Sequence, residues 1–138
     1  DMVTLIARNS AVTSFLADAV LVPVPLHPRK ERAREYNQSE LIARAFSRAE
    51  GHNLPIANLL QRRVDSDSQT SFDRRTRRTR QRRMKNAFAA RKGASITANQ
   101  RYVLVDDVFT TGSTLNACAH ALSRAGAISI DVVTFAHG

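Results

Sequence analysis

Cysteine is almost missing from this 138-residue sequence, with Cys118 standing alone. One thiol excludes a disulfide scaffold and suits a reducing compartment. Its place in the apolar stripe of a helical pattern marks it as a small core residue. Glycine is scarce as well, five in all. No GxGxxG stretch occurs, so the dinucleotide-binding fingerprint is excluded, and the one phosphate-loop-like turn lacks the lysine of a Walker A loop. No apolar run approaches the roughly 20 residues that span a bilayer. The opening Asp1-Met2-Val3-Thr4 has neither a basic n-region nor a cleavage site. A soluble, cytoplasmic protein is expected.

Negative charge is also short, 12 acidic residues against 21 basic, for a net charge of +9. The imbalance is local. Between Arg62 and Lys92 lie twelve Lys/Arg and three Asp/Glu, and elsewhere the two signs balance. The excess is therefore a device confined to one segment and not a property of the whole surface.

The length suits one domain, 1–138, with a proper core. Apolar residues at helical spacing from Met2 to Asp18 predict an amphipathic helix. That pattern starts abruptly, so a preceding segment is expected. Ala19 to Val24 reads as a buried strand stopped by Pro23, Pro25 and Pro28. Asn37-Gln38-Ser39-Glu40 opens a helix as a capping box, with Leu41, Ile42, Ala45, Phe46 and Ala49 as its buried stripe. Leu54 to Val64 predicts a second strand around Leu59–Arg63. Met84 to Ala90 predicts another, with Phe88 inward, and the connector from Lys92 to Arg101 has room for a short one near Ile96. Ile128, Ile130, Val132, Val133 and Phe135 mark the last. Such alternation predicts a parallel sheet with helices on both faces.

The stretch Tyr102-Val103-Leu104-Val105-Asp106-Asp107-Val108-Phe109-Thr110-Thr111-Gly112-Ser113-Thr114 carries the chemistry. Its apolar start reads as a buried parallel strand. Leu115, Cys118, Ala119 and Leu122 then recur at helical spacing, and Gly126 sits where a C-cap belongs. The strand-to-helix turn between them lies where open α/β sheets bind ligands. N–H groups at a helix start, with Gly112 allowing close approach and Thr110, Thr111, Ser113 and Thr114 adding hydroxyls, suit a phosphate. Asp106 and Asp107 just ahead would accept hydrogen bonds from a sugar diol or attract Mg²⁺. A ribose 5-phosphate satisfies both halves.

This stretch resembles the phosphoribosyl pyrophosphate (PRPP) signature of type I phosphoribosyltransferases. The resemblance sharpens to the ComF family, which includes competence and GntX-type proteins. It does so on Val22-Pro23-Val24-Pro25-Leu26-His27-Pro28-Arg29, on Tyr36-Asn37-Gln38-Ser39-Glu40-Leu41, and on an Arg-rich block after Gln69 that ends in Ala87-Phe88. Glu35 and Asn86 stand where the family usually has glycine. ComF proteins typically carry an N-terminal zinc ribbon with paired cysteines, which one cysteine cannot form.

The resemblance implies a three-layer α/β sandwich with a mainly parallel central sheet, the type I phosphoribosyltransferase fold. It implies that Thr110, Thr111, Gly112, Ser113 and Thr114 hold the 5-phosphate. Asp106 and Asp107 would take the ribose hydroxyls and, through PRPP, Mg²⁺. Arg29, Lys30, Arg32 and Arg34 fall in the pyrophosphate-loop position. Arg77, Arg78, Arg82 and Arg83 fall in a flexible basic flap at about 65–86. For that run three readings stand side by side: a flap neutralising pyrophosphate, a nucleic-acid patch and a solvated face. The activity implied is phosphoribosyl transfer from PRPP to an unspecified nitrogen acceptor. The alternative is a non-catalytic DNA-uptake accessory protein binding nucleic acid. A homo-oligomer is compatible with either.

Overall fold

The computed structural model describes residues 17–26, 33, 36–48, 53–63, 86–109 and 112–137. Its elements are β1 (Ala19–Pro23), α1 (Gln38–Arg48), β2 (Leu60–Arg62), β3 (Phe88–Ala90), β4 (Arg101–Phe109), α2 (Ser113–Arg124) and β5 (Ser129–His137). The helix expected before Asp18 lies, but for its last two positions, outside the described residues.

β1, β4 and β5 form a parallel sheet with β4 in the middle. Ala19 to Pro23 pair with Arg101 to Val105, and the other edge of β4 pairs with β5 from Arg101↔Ser129 to Phe109↔His137. The β-branched and aromatic residues of β4 suit a strand covered on both faces. Alternation then sorts the core into two layers. Ala19, Leu21, Val103 and Val105 pack against Ile42, Ala43, Ala45 and Phe46 of α1. Val22, Val24, Tyr102 and Leu104 pack against Leu115, Ala117, Cys118, Ala121 and Leu122 of α2. One helix therefore covers each face of the sheet. Each such buried Leu, Ile or Phe contributes roughly 1.5–3 kcal/mol.

Several local expectations are corrected. Leu41 is 43% exposed, and Ala43 takes its place in the buried stripe of α1. Glu40 does not close a capping box: its carboxylate pairs with Arg44 one turn on, at 3.0 Å. The segment from Leu54 divides in two. Ile56 bridges in parallel to the outer edge of β1, with Leu21 N–H donating to Pro55 O and Ala57 N–H to Leu21 O, both at 2.9 Å. The remainder becomes β2, which pairs antiparallel with β3 in a separate two-stranded sheet. No strand forms near Ile96. That connector is instead pinned by Thr97 N–H, which donates to the Tyr102 hydroxyl at 2.9 Å.

α2 ends in a Schellman motif around the expected glycine. Gly126 N–H donates to Ser123 O and Ala127 N–H to Leu122 O. Gly126 has φ 117, a conformation that side chains with a Cβ rarely adopt. Among the described residues no helix is long and apolar enough to cross a membrane.

Candidate functional site

The site begins where β1 stops. Pro23 pairs with Val105, and Val24 N–H donates to Val105 O at 3.0 Å as the last rung. In a parallel ladder the next rung would run from Asp107 N–H to Val24 O. That rung does not form, and the Val24 carbonyl accepts from the Asn37 side chain, whose Nδ2 donates to it at 3.2 Å. The Asp107 amide turns instead to Asp106 Oδ1, at 2.9 Å. From Asp106 onward β4 thus keeps its β5 neighbour, through Asp106↔Thr134, and loses its β1 neighbour.

The gap is a cavity of about 470 Å³ at the carboxyl ends of β1 and β4, within the ~300–1,000 Å³ of small-molecule sites. Val24, Pro25 and Leu26 form one wall and the first residues of α1 another. Arg62, at the end of β2, lines the same cavity as Asp106 and Asp107. The Arg62 guanidinium sits over the Phe88 ring, 5.4 Å from its centroid, which holds a cation beside the acidic pair. Phe88 is fully buried, so this platform is anchored in the core.

α1 contributes its start. Asn37 Oδ1 accepts from Ser39 N–H at 3.1 Å, an N-cap bond, while its amide ties the cap to β1. The Ser39 hydroxyl donates to Asp106 Oδ1 at 3.0 Å. Burial pushes the Asp106 carboxyl above the ordinary carboxylate range. The Asp107 amide and the Ser39 hydroxyl oppose that rise, and the adjacent Asp107 carboxyl adds to it. Cys118 lies behind the pair and is buried, which pushes its thiol up to about 12, with Asp106 adding to the rise and Arg62 opposing it. A thiol so protonated is core and not a nucleophile.

Beyond β4 the chain enters α2 through Gly112, at φ 79, ψ −3. This left-handed conformation suits glycine, and with no side chain to bend back, Gly112 leaves the capping position without a competing acceptor. Ser113 and Thr114 fall in the first turn of α2. Of the residues expected at the site, the structure therefore places Asp106 and Asp107 in the cavity wall and Gly112, Ser113 and Thr114 at the helix start. Thr110 and Thr111 lie outside the described residues. So do Arg29, Lys30, Arg32 and Arg34, and the flap residues Arg77, Arg78, Arg82 and Arg83. Ser39 and Arg62 are additions that the sequence does not single out. Ser39 is part of the Tyr36–Leu41 block, where its hydroxyl reads as a helix-start residue. Arg62 looks like one more cation at the edge of a basic segment.

Comparison with known proteins identifies the family and the fold. The family model for the phosphoribosyl transferase domain matches residues 39–138. Competence protein F of Haemophilus influenzae is 34% identical over 113 residues, covering 81% of this chain and 47% of that protein. The DNA utilization protein YhgH of Escherichia coli (strain K12) is 34% identical over 122 residues, covering 81% and 46%. Competence protein ComFC of Bacillus subtilis is 29% identical, covering 78% and 39%. The chain thus spans less than half the length of these relatives. A solved structure described as the allosteric regulatory enzyme of purine biosynthesis shares the fold, with a TM-score of 0.56 at 21% identity, over 97% of this chain and 24% of that one. With its strand, acidic pair and glycine-started helix in this order, the chain belongs to the phosphoribosyl transferase domain family, as a member of its ComF branch.

Proposed function

We propose that this domain binds PRPP together with Mg²⁺ and transfers its 5-phosphoribosyl group to a nitrogen acceptor. The observation that carries this reading is the broken ladder, which opens a cavity onto Asp106 and Asp107 shortly ahead of the Gly112 helix start. The 5-phosphate would sit at the start of α2, where the dipole and the backbone favour an anion. The two carboxylates would accept hydrogen bonds from the ribose hydroxyls. Arg62 would face the diphosphate.

In the reaction the acceptor nitrogen's lone pair forms a bond to C1 of the ribose. The C1–O bond to the diphosphate breaks, its electron pair leaves with pyrophosphate, and the nitrogen gives its proton to solvent. The residues contribute by orienting the ribose and by stabilising charge as it moves from C1 to the leaving group. Among the described residues no group of three or more His, Cys, Asp or Glu could cage a metal. Two adjacent carboxylates fit an ion that arrives with the diphosphate and keeps most of its ligands from it and from water. Mg²⁺ is thus part of the substrate complex, where it would offset diphosphate charge.

The test is calorimetric titration with PRPP, with and without Mg²⁺, on the wild type and on Asp106→Asn/Asp107→Asn. Each carboxylate lost removes a charge-assisted hydrogen bond of about 1.5–3 kcal/mol, so affinity should fall by about 100-fold or more. The fold should survive, since the substituted side chain at position 106 still offers an amide oxygen to Ser39 and to the backbone N–H that follows it. Stability has a definite sign too. Asp106 is raised in the fold, so its ionisation above its ordinary 3.8 costs stability. The variant should therefore melt no lower than wild type at neutral pH. Undiminished PRPP affinity in the double variant would refute the assignment.

A second reading is supported by the placement of all the excess charge between Arg62 and Lys92, and by relatives named for competence and DNA utilization. Here the basic segment binds nucleic acid phosphates. The logarithm of DNA affinity would then fall linearly with log salt, by a slope of about −0.9 per phosphate for duplex DNA. Neutralising Arg77, Arg78, Arg82 and Arg83 should flatten that slope. Salt-insensitive or absent DNA binding removes this reading.

A further inference from the structure

Asp106 is gripped before any ligand arrives. Both the Ser39 hydroxyl, at 3.0 Å, and the Asp107 amide, at 2.9 Å, converge on the same oxygen, Oδ1. Beside the second of these bonds the Val24 carbonyl, next in line for the sheet ladder, accepts from the Asn37 side chain. The start of α1 therefore supplies one of the two bonds directly, although Ser39 and Asp106 are 67 residues apart in sequence.

The arrangement answers a physical problem. The terminal torsion of an aspartate is broad and roughly two-fold, so an unheld carboxylate presents its two oxygens interchangeably. Recognition of a vicinal diol needs an acceptor fixed to within a fraction of an ångström. Ser39 is 4% exposed, and its N–H already goes to the Asn37 side chain. Its hydroxyl is spent on the carboxylate and not on its own helix.

We propose that the Asn37–Ser39 turn is a positioning element for the acidic pair: Ser39 locks Asp106 Oδ1 and so turns Oδ2 to the ligand's ribose hydroxyls. This inference rests on the reading of the cavity as a PRPP site. Ser39 touches no reacting atom and acts through Asp106.

A double-mutant cycle of Ser39→Ala and Asp106→Ala, titrated with PRPP and Mg²⁺, tests it. Ser39→Ala should weaken PRPP about three- to tenfold when Asp106 is present, because binding must then order a carboxylate that the wild type holds in advance. On Asp106→Ala the same change should cost less than about twofold, since its partner is gone. Equal losses in both backgrounds mean that Ser39 merely supports the fold, and that overturns the proposal. So does no loss in the first. Where Asp106→Ala binds too weakly to titrate, ligand-free amide exchange decides. Asp107 N–H should exchange faster in Ser39→Ala while Leu104 N–H is unchanged, and equal rates at Asp107 overturn the proposal. If the wild type binds no PRPP, the reading of the site falls and the inference with it. If the wild type binds and Ser39→Ala binds equally, only the inference falls.

Discussion

Replacing Phe88 with alanine tests how the cavity wall is tied to the core. Phe88 is fully buried, pairs across β2–β3 with Arg62, and packs in the layer under α2. Its carbonyl also accepts from Arg124 at 3.3 Å, and its ring carries the Arg62 guanidinium. Truncating a buried Phe removes its transfer free energy and leaves a void, together about 3–5 kcal/mol. The lost cation–π contact adds about 0.5–1 kcal/mol. At about 3–5 °C per kcal/mol for a domain of this size, the melting temperature should fall by about 10–30 °C. Urea unfolding should show the same loss at an unchanged slope.

The local effect should exceed the global one. β2 and β3 are three residues each and form a separate sheet, held largely through Leu60 and Phe88. In Phe88→Ala the pair should open at lower free energy than β4, seen as faster amide exchange at Gln61 and Ala89 than at Leu104. PRPP affinity should fall with it, because Arg62 loses its platform. A loss under about 1.5 kcal/mol with the slope unchanged would refute the claim that this two-stranded sheet shares the main core.

Two further outcomes are expected. Gly112→Ala forces a Cβ into a φ 79 conformation, so it should cost about 1–2 kcal/mol, read from the melting temperature; an unchanged value would count against the left-handed entry to α2. Cys118 should resist thiol reagents at mildly alkaline pH in the folded protein and react fully in denaturant, and rapid native labelling would contradict its burial. Its thiol rises from 9.0 to about 12, so between those values the unfolded chain loses a proton that the folded chain keeps, and stability falls as pH rises. Cys118→Ala should flatten that alkaline decline.

Much of this protein is legible locally. β1, β4 and α2 follow from apolar periodicity, and their ends from Pro23, Pro25 and Gly126, because φ restriction and missing N–H groups act on the residue itself. The acidic pair and Gly112 can be placed at a strand end and a helix start for the same reason. Departures arise where partners far apart in sequence decide. Leu41 has the polarity of a core residue, but the face that α1 packs against the sheet leaves it to solvent and buries Ala43. Short apolar runs near Leu54 and Ile96 carry no signal of which edge they would join. One became a bridge to Leu21, and the other a connector tied to Tyr102.

The chemistry of the site divides in the same way. Sequence alone determined which residues carry carboxylates, hydroxyls and positive charge, and that a phosphate-suited turn follows a buried strand. Only the tertiary structure decided that Asn37 would take the Val24 carbonyl, that Ser39 would reach Asp106 and that Arg62 would stack on Phe88. Those pairings depend on distances between elements set by packing two helices on opposite faces of one sheet, and residue spacing along the chain does not encode such distances.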